Sequence, residues 1–87
     1  MVYGSTTNEL FRQGLIPVAD VHAAADAFLA NPQPSLHPLG TRYHLDIAAA
    51  VRADELARRI LHDPGSALPA KQAAVRTAIL LAQPRTS

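Results

Sequence analysis

The apolar positions of the chain recur with helical spacing in four segments, each bounded by proline, glycine or a capping residue. The first helix is short: Thr6 has the spacing to Glu9 of a capping box, and Gly14 supplies the left-handed stop. A second helix is predicted from Pro17 to about Ala30. Both boundaries are local signals, so these two helices are the most direct predictions from the sequence.

The third and longest helix is predicted over the block from His44 to Pro64. Its second half is apolar on one side and charged on the other, whereas its first half is apolar almost all the way round. Ile47, Ala48 and Val51 lie on the side that becomes polar further along the helix. We therefore expect this end of the helix to need cover from a second element of the fold or from another chain.

Charged residues of the same block are spaced as ion pairs one helical turn apart. Asp54 precedes Arg58 and Glu55 precedes Arg59, each by four residues. Such a pair contributes about 0.2–0.5 kcal/mol on a solvated helix face. We interpret both pairs as surface support rather than as a site.

A fourth helix is predicted from Pro69 until Pro84 ends it, and it is apolar on nearly every side. It lies either at the centre of the fold or half covered by another chain. The segment 31–43, with three prolines and a glycine, is predicted to be an extended connector. The connector either crosses the helices, laying Leu36, Leu39 and Tyr43 on them, or forms an arm that docks on a partner.

Together these segments predict an all-α fold, a single-domain bundle of about four helices, one short and three longer. The domain spans 1–87, with mobile ends at 1–5 and 84–87. Leu, Ile, Val and Phe make up 22 of 87 residues, enough for a core, but 17 alanines dilute it. Cover from a partner or a second copy would remedy that shortage.

Charge and composition exclude several classes of protein. Eight basic and seven acidic residues give a net charge of +1 and alternate along the chain, without a basic run that would follow a phosphate backbone. Without cysteine, the chain has no disulfides, no thiolate catalysis and no cysteine-ligated zinc. No secretion signal or membrane-spanning stretch is present in the printed sequence. We expect a cytoplasmic protein that is not inserted in a membrane.

Residues able to do chemistry are scattered. The four histidines show no metal-ligand spacing, although His37 and His44 with Asp46 could meet in space. The carboxylates have local roles, the four glycines are too dispersed for a phosphate loop, and no nucleophile motif is present. We expect no enzyme activity, no metal, no cofactor and no small-molecule substrate.

Interaction with another protein or with itself is the leading functional hypothesis, because two helices carry more apolar surface than a small monomer easily buries. An oligomer, an accessory or regulatory subunit, and a phage-type assembly or inhibitor factor fit equally well. The candidate interface residues are Leu36, Leu39, Tyr43, Ile47, Val51, Ile60, Val75, Ile79 and Leu80.

The alternative is a nucleic-acid-associated regulatory protein. The second helix has two aspartates and no basic residue, so it is a poor reader of DNA. An arginine-bearing face on the third helix is the better surface, although Asp54 and Glu55 interrupt it. The candidate nucleic-acid contacts are Arg42, Arg52, Arg58, Arg59 and Arg76.

Overall fold

A computed structural model describes residues 5–33 and 36–86 of the chain. Within them, five α-helices accompany a three-stranded antiparallel sheet of order β1-β2-β3. The helices are α1 (Thr7–Arg12), α2 (Val18–Ala30), α3 (Ile47–Ala53), α4 (Glu55–His62) and α5 (Leu68–Leu81). The strands are β1 (Leu36–Leu39), β2 (Tyr43–Asp46) and β3 (Arg85–Thr86). The fold is mostly helical, but the prediction of an all-α bundle is wrong.

The first two helices begin and end within one residue of their predicted bounds. The Thr6 hydroxyl accepts a hydrogen bond from the Glu9 N–H at 3.2 Å, and the Glu9 carboxylate accepts one from the Thr6 N–H at 3.0 Å. Gly14 has a φ of +80°, and Pro17 stands directly before α2. Capping box and glycine stop are both confirmed.

The predicted connector 31–43 is not free of regular secondary structure, because it contains β1 and the first residue of β2. Leu39 lies opposite Tyr43, and Leu36 opposite Asp46. Pro38 is tolerated in β1 because this strand is at the edge of the sheet. Strands of four residues are too short to show a clear alternation of apolar and polar side chains, and their stability comes from pairing with distant residues. The three prolines were therefore the stronger signal in the sequence, and they indicate a connector. Pro34 and Ser35 lie outside the described residues.

Gly40 fixes the β1–β2 turn against the start of α2. Its φ is +68°, and its N–H donates a hydrogen bond of 2.6 Å to the carboxylate of Asp20. A Cβ at this position would stand 2.5 Å from the backbone oxygen of Leu15. Only glycine combines this backbone conformation with so close an approach.

The predicted long helix from His44 to Pro64 is a strand followed by two helices. Its first residues belong to β2, and the helix is interrupted at Asp54, which has φ −104° and ψ 107°. The Asp46 carboxylate accepts from the Ala49 N–H at 3.2 Å, and the Asp54 carboxylate from the Ala57 N–H at 3.0 Å. Aspartate favours the N-cap over the helix interior, so each of these two residues starts a helix.

Helix α5 is the centre of the fold, and it contacts each of the four other helices. Val75 and Ile79 on this helix are fully buried. The core also includes Ile47 and Val51, so the cover that they require comes from within the chain. The last helix was predicted to lie either at the centre of the fold or half covered by another chain, and the structure places it at the centre.

The two ends of the described chain meet beside α5. The Thr7 N–H and hydroxyl both donate to the Ala82 oxygen, at 2.8 and 3.2 Å. Beyond Ala82, Arg85 pairs with His44, so part of the end predicted to be mobile adds the third strand. Residues 1–4 and 87 lie outside the described residues.

Candidate functional site

An open groove of about 550 Å³ lies between the end of α2, helices α3 and α4, and the start of α5. It is larger than the depression of about 430 Å³ beside β2. We call it the basic groove, defined by its apolar residues Phe28, Leu29, Pro32, Ala48, Val51, Leu61 and Leu68 and its basic residues Arg52, Arg58, His62 and Lys71.

The turn between α4 and α5 assembles one end of the basic groove. The Asp63 carboxylate accepts from the Gly65 N–H at 2.9 Å, and the Ser66 N–H donates to the Asp63 oxygen at 3.1 Å. So short a connection makes the two helices antiparallel neighbours. It thereby places Leu61 beside the first turn of α5, which carries Leu68.

Apolar carbon in the basic groove remains open to solvent. Ala48 and Val51 form a buried floor, and Phe28 is half-buried. Leu68 is 58% exposed although it belongs to a concave surface. Apolar side chains that stay accessible in a depression are typical of a binding surface.

The positive charge of the basic groove is not neutralised inside the protein. Among the described residues, the side chains of Arg52, Arg58 and Lys71 have no hydrogen bond or ion pair, and no carboxylate lines the groove. The predicted Asp54–Arg58 pair does not form, because Asp54 has extended backbone angles at the N-cap of α4 and does not belong to the helix in which side chains four residues apart meet. Three cations thus surround an apolar floor.

The neighbouring arginine differs. Arg59 Nη2 lies 2.7 Å from Glu55 Oε1 in the pair that its spacing predicts. Both side chains are exposed, so we expect this pair to stabilise α4 only slightly. Arg58 and Arg59 are adjacent in sequence, but only Arg58 lines the basic groove.

The candidate interface residues from the sequence are distributed over the core and the surface. Ile60, Tyr43 and Leu80 are half-buried against the core, and Leu36 is exposed on β1. The other five belong to the protein's own core, and of these only Val51 also lines the basic groove: Leu39, Ile47, Val51, Val75 and Ile79.

The five candidate nucleic-acid contacts are likewise divided. Arg52 and Arg58 line the basic groove, whereas Arg42 lies in the β1–β2 turn. Arg76 lies on α5 facing α2, with Nη1 at 3.3 Å from Nε2 of His22. Of the five candidates, only Arg52 and Arg58 therefore belong to the basic groove.

Sequence reasoning missed the remaining contributors to the groove, most clearly Leu68 and Lys71. Leu68 was hidden as a single apolar residue between a turn and Pro69, and Lys71 was an isolated charge. The short turn after α4 was the available signal, because it predicts that the start of α5 lies beside the end of α4.

No metal-binding cluster accompanies this groove in the described residues. There, no three His, Cys, Asp or Glu side chains converge closely enough to hold a metal ion, and His37 with His44 and Asp46 is no exception. Across residues 5–33 and 36–86, none of the helices has both the length and the apolar character required to cross a bilayer.

Comparison with protein-family models, with curated proteins and with solved structures found no significant match. The case for a function therefore rests on the basic groove itself.

Proposed function

We propose that this chain is a non-catalytic cytoplasmic interaction protein, an accessory or regulatory subunit that binds another protein in the basic groove. The observation that carries the proposal is an apolar groove of about 550 Å³ that the folded chain leaves open. It has three cations that lack partners among the described residues.

The chemistry of the groove suits binding. Aromatic and arginine side chains account for much of the affinity at protein interfaces, and the groove offers Phe28, Arg52 and Arg58. Covalent catalysis would need a nucleophile held beside a base, and among the described residues no serine, threonine or cysteine lines the groove beside His62.

Photo-crosslinking in the native host tests the proposal. A photoreactive amino acid replaces either Leu68 in the basic groove or Leu56 on the other side of α4, two positions that are 58% and 62% exposed. We expect a discrete adduct of higher mass at Leu68, identified by mass spectrometry, and none at Leu56. Equal labelling at both positions, or no adduct at either, would contradict the proposal.

Nucleic acid is the second candidate occupant, favoured by the three cations Arg52, Arg58 and Lys71. Phosphate contacts would make the binding salt-dependent and would be weakened by Arg58→Ala. Arg59→Ala is the matched control, since Glu55 already neutralises that arginine. Absence of a gel shift at low salt with mixed DNA and RNA would remove this candidate.

A further inference from the structure

We infer that the basic groove binds an acidic amphipathic helix of a partner protein, in which an apolar stripe contacts the groove floor and flanking carboxylates meet Arg52, Arg58 and Lys71. This inference rests on the proposed function and specifies the chemistry of the partner.

Charge complementarity selects an acidic occupant. Arg52 and Arg58 are exposed at the edge of the groove and Lys71 is half-buried there, while the floor is apolar. A basic segment would be repelled by all three cations, and a neutral one would leave them unmatched. Carboxylates of a partner would instead gain attraction to each of them.

The apolar lining of the groove favours a helix. Helices α3, α4 and α5 contribute Val51, Leu61 and Leu68, and α2 contributes the aromatic ring of Phe28. A partner helix that presents apolar side chains at positions i, i+3 or i+4 and i+7 would contact several of these residues at once.

The same features disfavour nucleic acid. Single-stranded nucleic acid binds through bases stacked on aromatic rings along a continuous cationic track. Within the described part of the chain, the groove offers only Phe28 and the imidazole of His62 for stacking, and its three cations come from three different helices.

A second copy of this chain is also a weaker fit. Its most exposed leucine with acidic neighbours on α4 is Leu56, but the adjacent Glu55 already pairs with Arg59. Asp54, the other acidic neighbour, uses its carboxylate to cap α4. Arg58 and Arg59 on the same helix balance these two carboxylates, so this surface has no net negative charge to offer to a basic groove.

Three synthetic amphipathic helices with one leucine stripe test the inference, with Glu, Gln or Lys at the flanking positions. Fluorescence anisotropy of each labelled peptide with the full chain gives its affinity. We expect the Glu peptide to bind about tenfold more tightly than the Gln peptide and the Lys peptide to bind least, with the preference lost at high salt.

Charge reversal supplies the control within the chain. The triple variant Arg52→Glu, Arg58→Glu, Lys71→Glu should invert the ranking, so that the Lys peptide binds best. All three side chains lack partners among the described residues, so we expect the variant to fold, which circular dichroism checks. Arg59→Glu, outside the groove, should leave the ranking unchanged.

The possible failures can be told apart. Equal binding of the three peptides, with amide shifts at Ala48 and Val51, would overturn the acidic preference while leaving a protein-binding groove in place. Binding of none of them would overturn the helix occupant, and the crosslink at Leu68 would then decide the proposed function by itself. Self-association that Arg58→Glu abolishes, or tighter binding of an oligonucleotide than of the Glu peptide, would replace the occupant with a second copy or a nucleic acid.

Discussion

The two flanks of α4 carry similar side chains in different states. On one flank Arg58 faces the basic groove without a partner among the described residues; on the other, Arg59 is held by Glu55 at 2.7 Å. Leu68 and Leu56, on the corresponding sides, are exposed to a similar extent. The difference originates at the start of α4: Asp54 is the N-cap with extended backbone angles, so Arg58 lacks the carboxylate within the helix, one turn before it, that Arg59 has in Glu55. The backbone conformation at Asp54, rather than residue type, therefore decides which of the two arginines lacks an ion pair among the described residues.

The largest contrast between the flanks is expected from Leu68→Asp and Leu56→Asp. Leu68→Asp places a charge in the apolar groove and should weaken binding of the Glu peptide about tenfold or more, or about 1.4 kcal/mol. Leu56→Asp should leave the affinity unchanged. Anisotropy titrations measure both.

Both leucines are more than half exposed, so neither change should unfold the protein. An equal loss of affinity in the two variants would remove the distinction between the flanks.

Asp54→Ala removes the side chain that caps the N-terminus of α4. Removal of the N-cap should lower the free energy of unfolding by about 1 kcal/mol, within a range of about 0.5–2 kcal/mol. Chemical denaturation measures this loss. Asp54→Asn retains a capping oxygen and should keep most of the wild-type stability. If the alanine and asparagine variants lose the same stability, the side-chain cap does not stabilise the start of α4.

Arg58→Ala and Arg59→Ala compare the two arginines directly. Loss of Arg58 should reduce the affinity for the Glu peptide by about 0.2–1 kcal/mol, the range measured for exposed charge pairs. Loss of Arg59 should leave that affinity unaltered. Isothermal calorimetry at low salt resolves the difference, and a larger effect at Arg59 would place the peptide on the wrong flank.

Glu55→Gln should have the smallest effect. It removes the ion pair with Arg59, which stabilises the helix by about 0.2–0.5 kcal/mol at most. Thermal unfolding at low salt detects a change of this size. A stability loss comparable to that of Asp54→Ala would show that the pair, and not the cap, holds α4.

The parts of the fold that depend on local chemistry were predictable. The capping box at Thr6 and the stop at Gly14 follow from neighbouring residues and are observed, and α2, predicted from Pro17, begins one residue later. The predicted Glu55–Arg59 pair also forms.

Features that depend on distant residues were not predictable in the same way. The β1–β2 hairpin depends on Gly40 contacting Asp20 and Leu15, and β3 depends on pairing with β2. Asp54 could have been recognised as a cap from its residue type, but its spacing to Arg58 suggested an ion pair. Of the groove, the sequence predicted Arg52, Arg58 and Val51 as functional residues, because the others are assembled only by packing.

Chemical-shift mapping with the Glu peptide tests the central claim that the basic groove is the binding site. The isotopically labelled chain should show its largest amide shifts at Ala48, Val51 and Lys71, all of which line the groove. The depression beside β2, with Leu36 and Ala82, is the alternative surface. Shifts concentrated around Leu36 and Ala82, with Ala48, Val51 and Lys71 unchanged, would contradict the account.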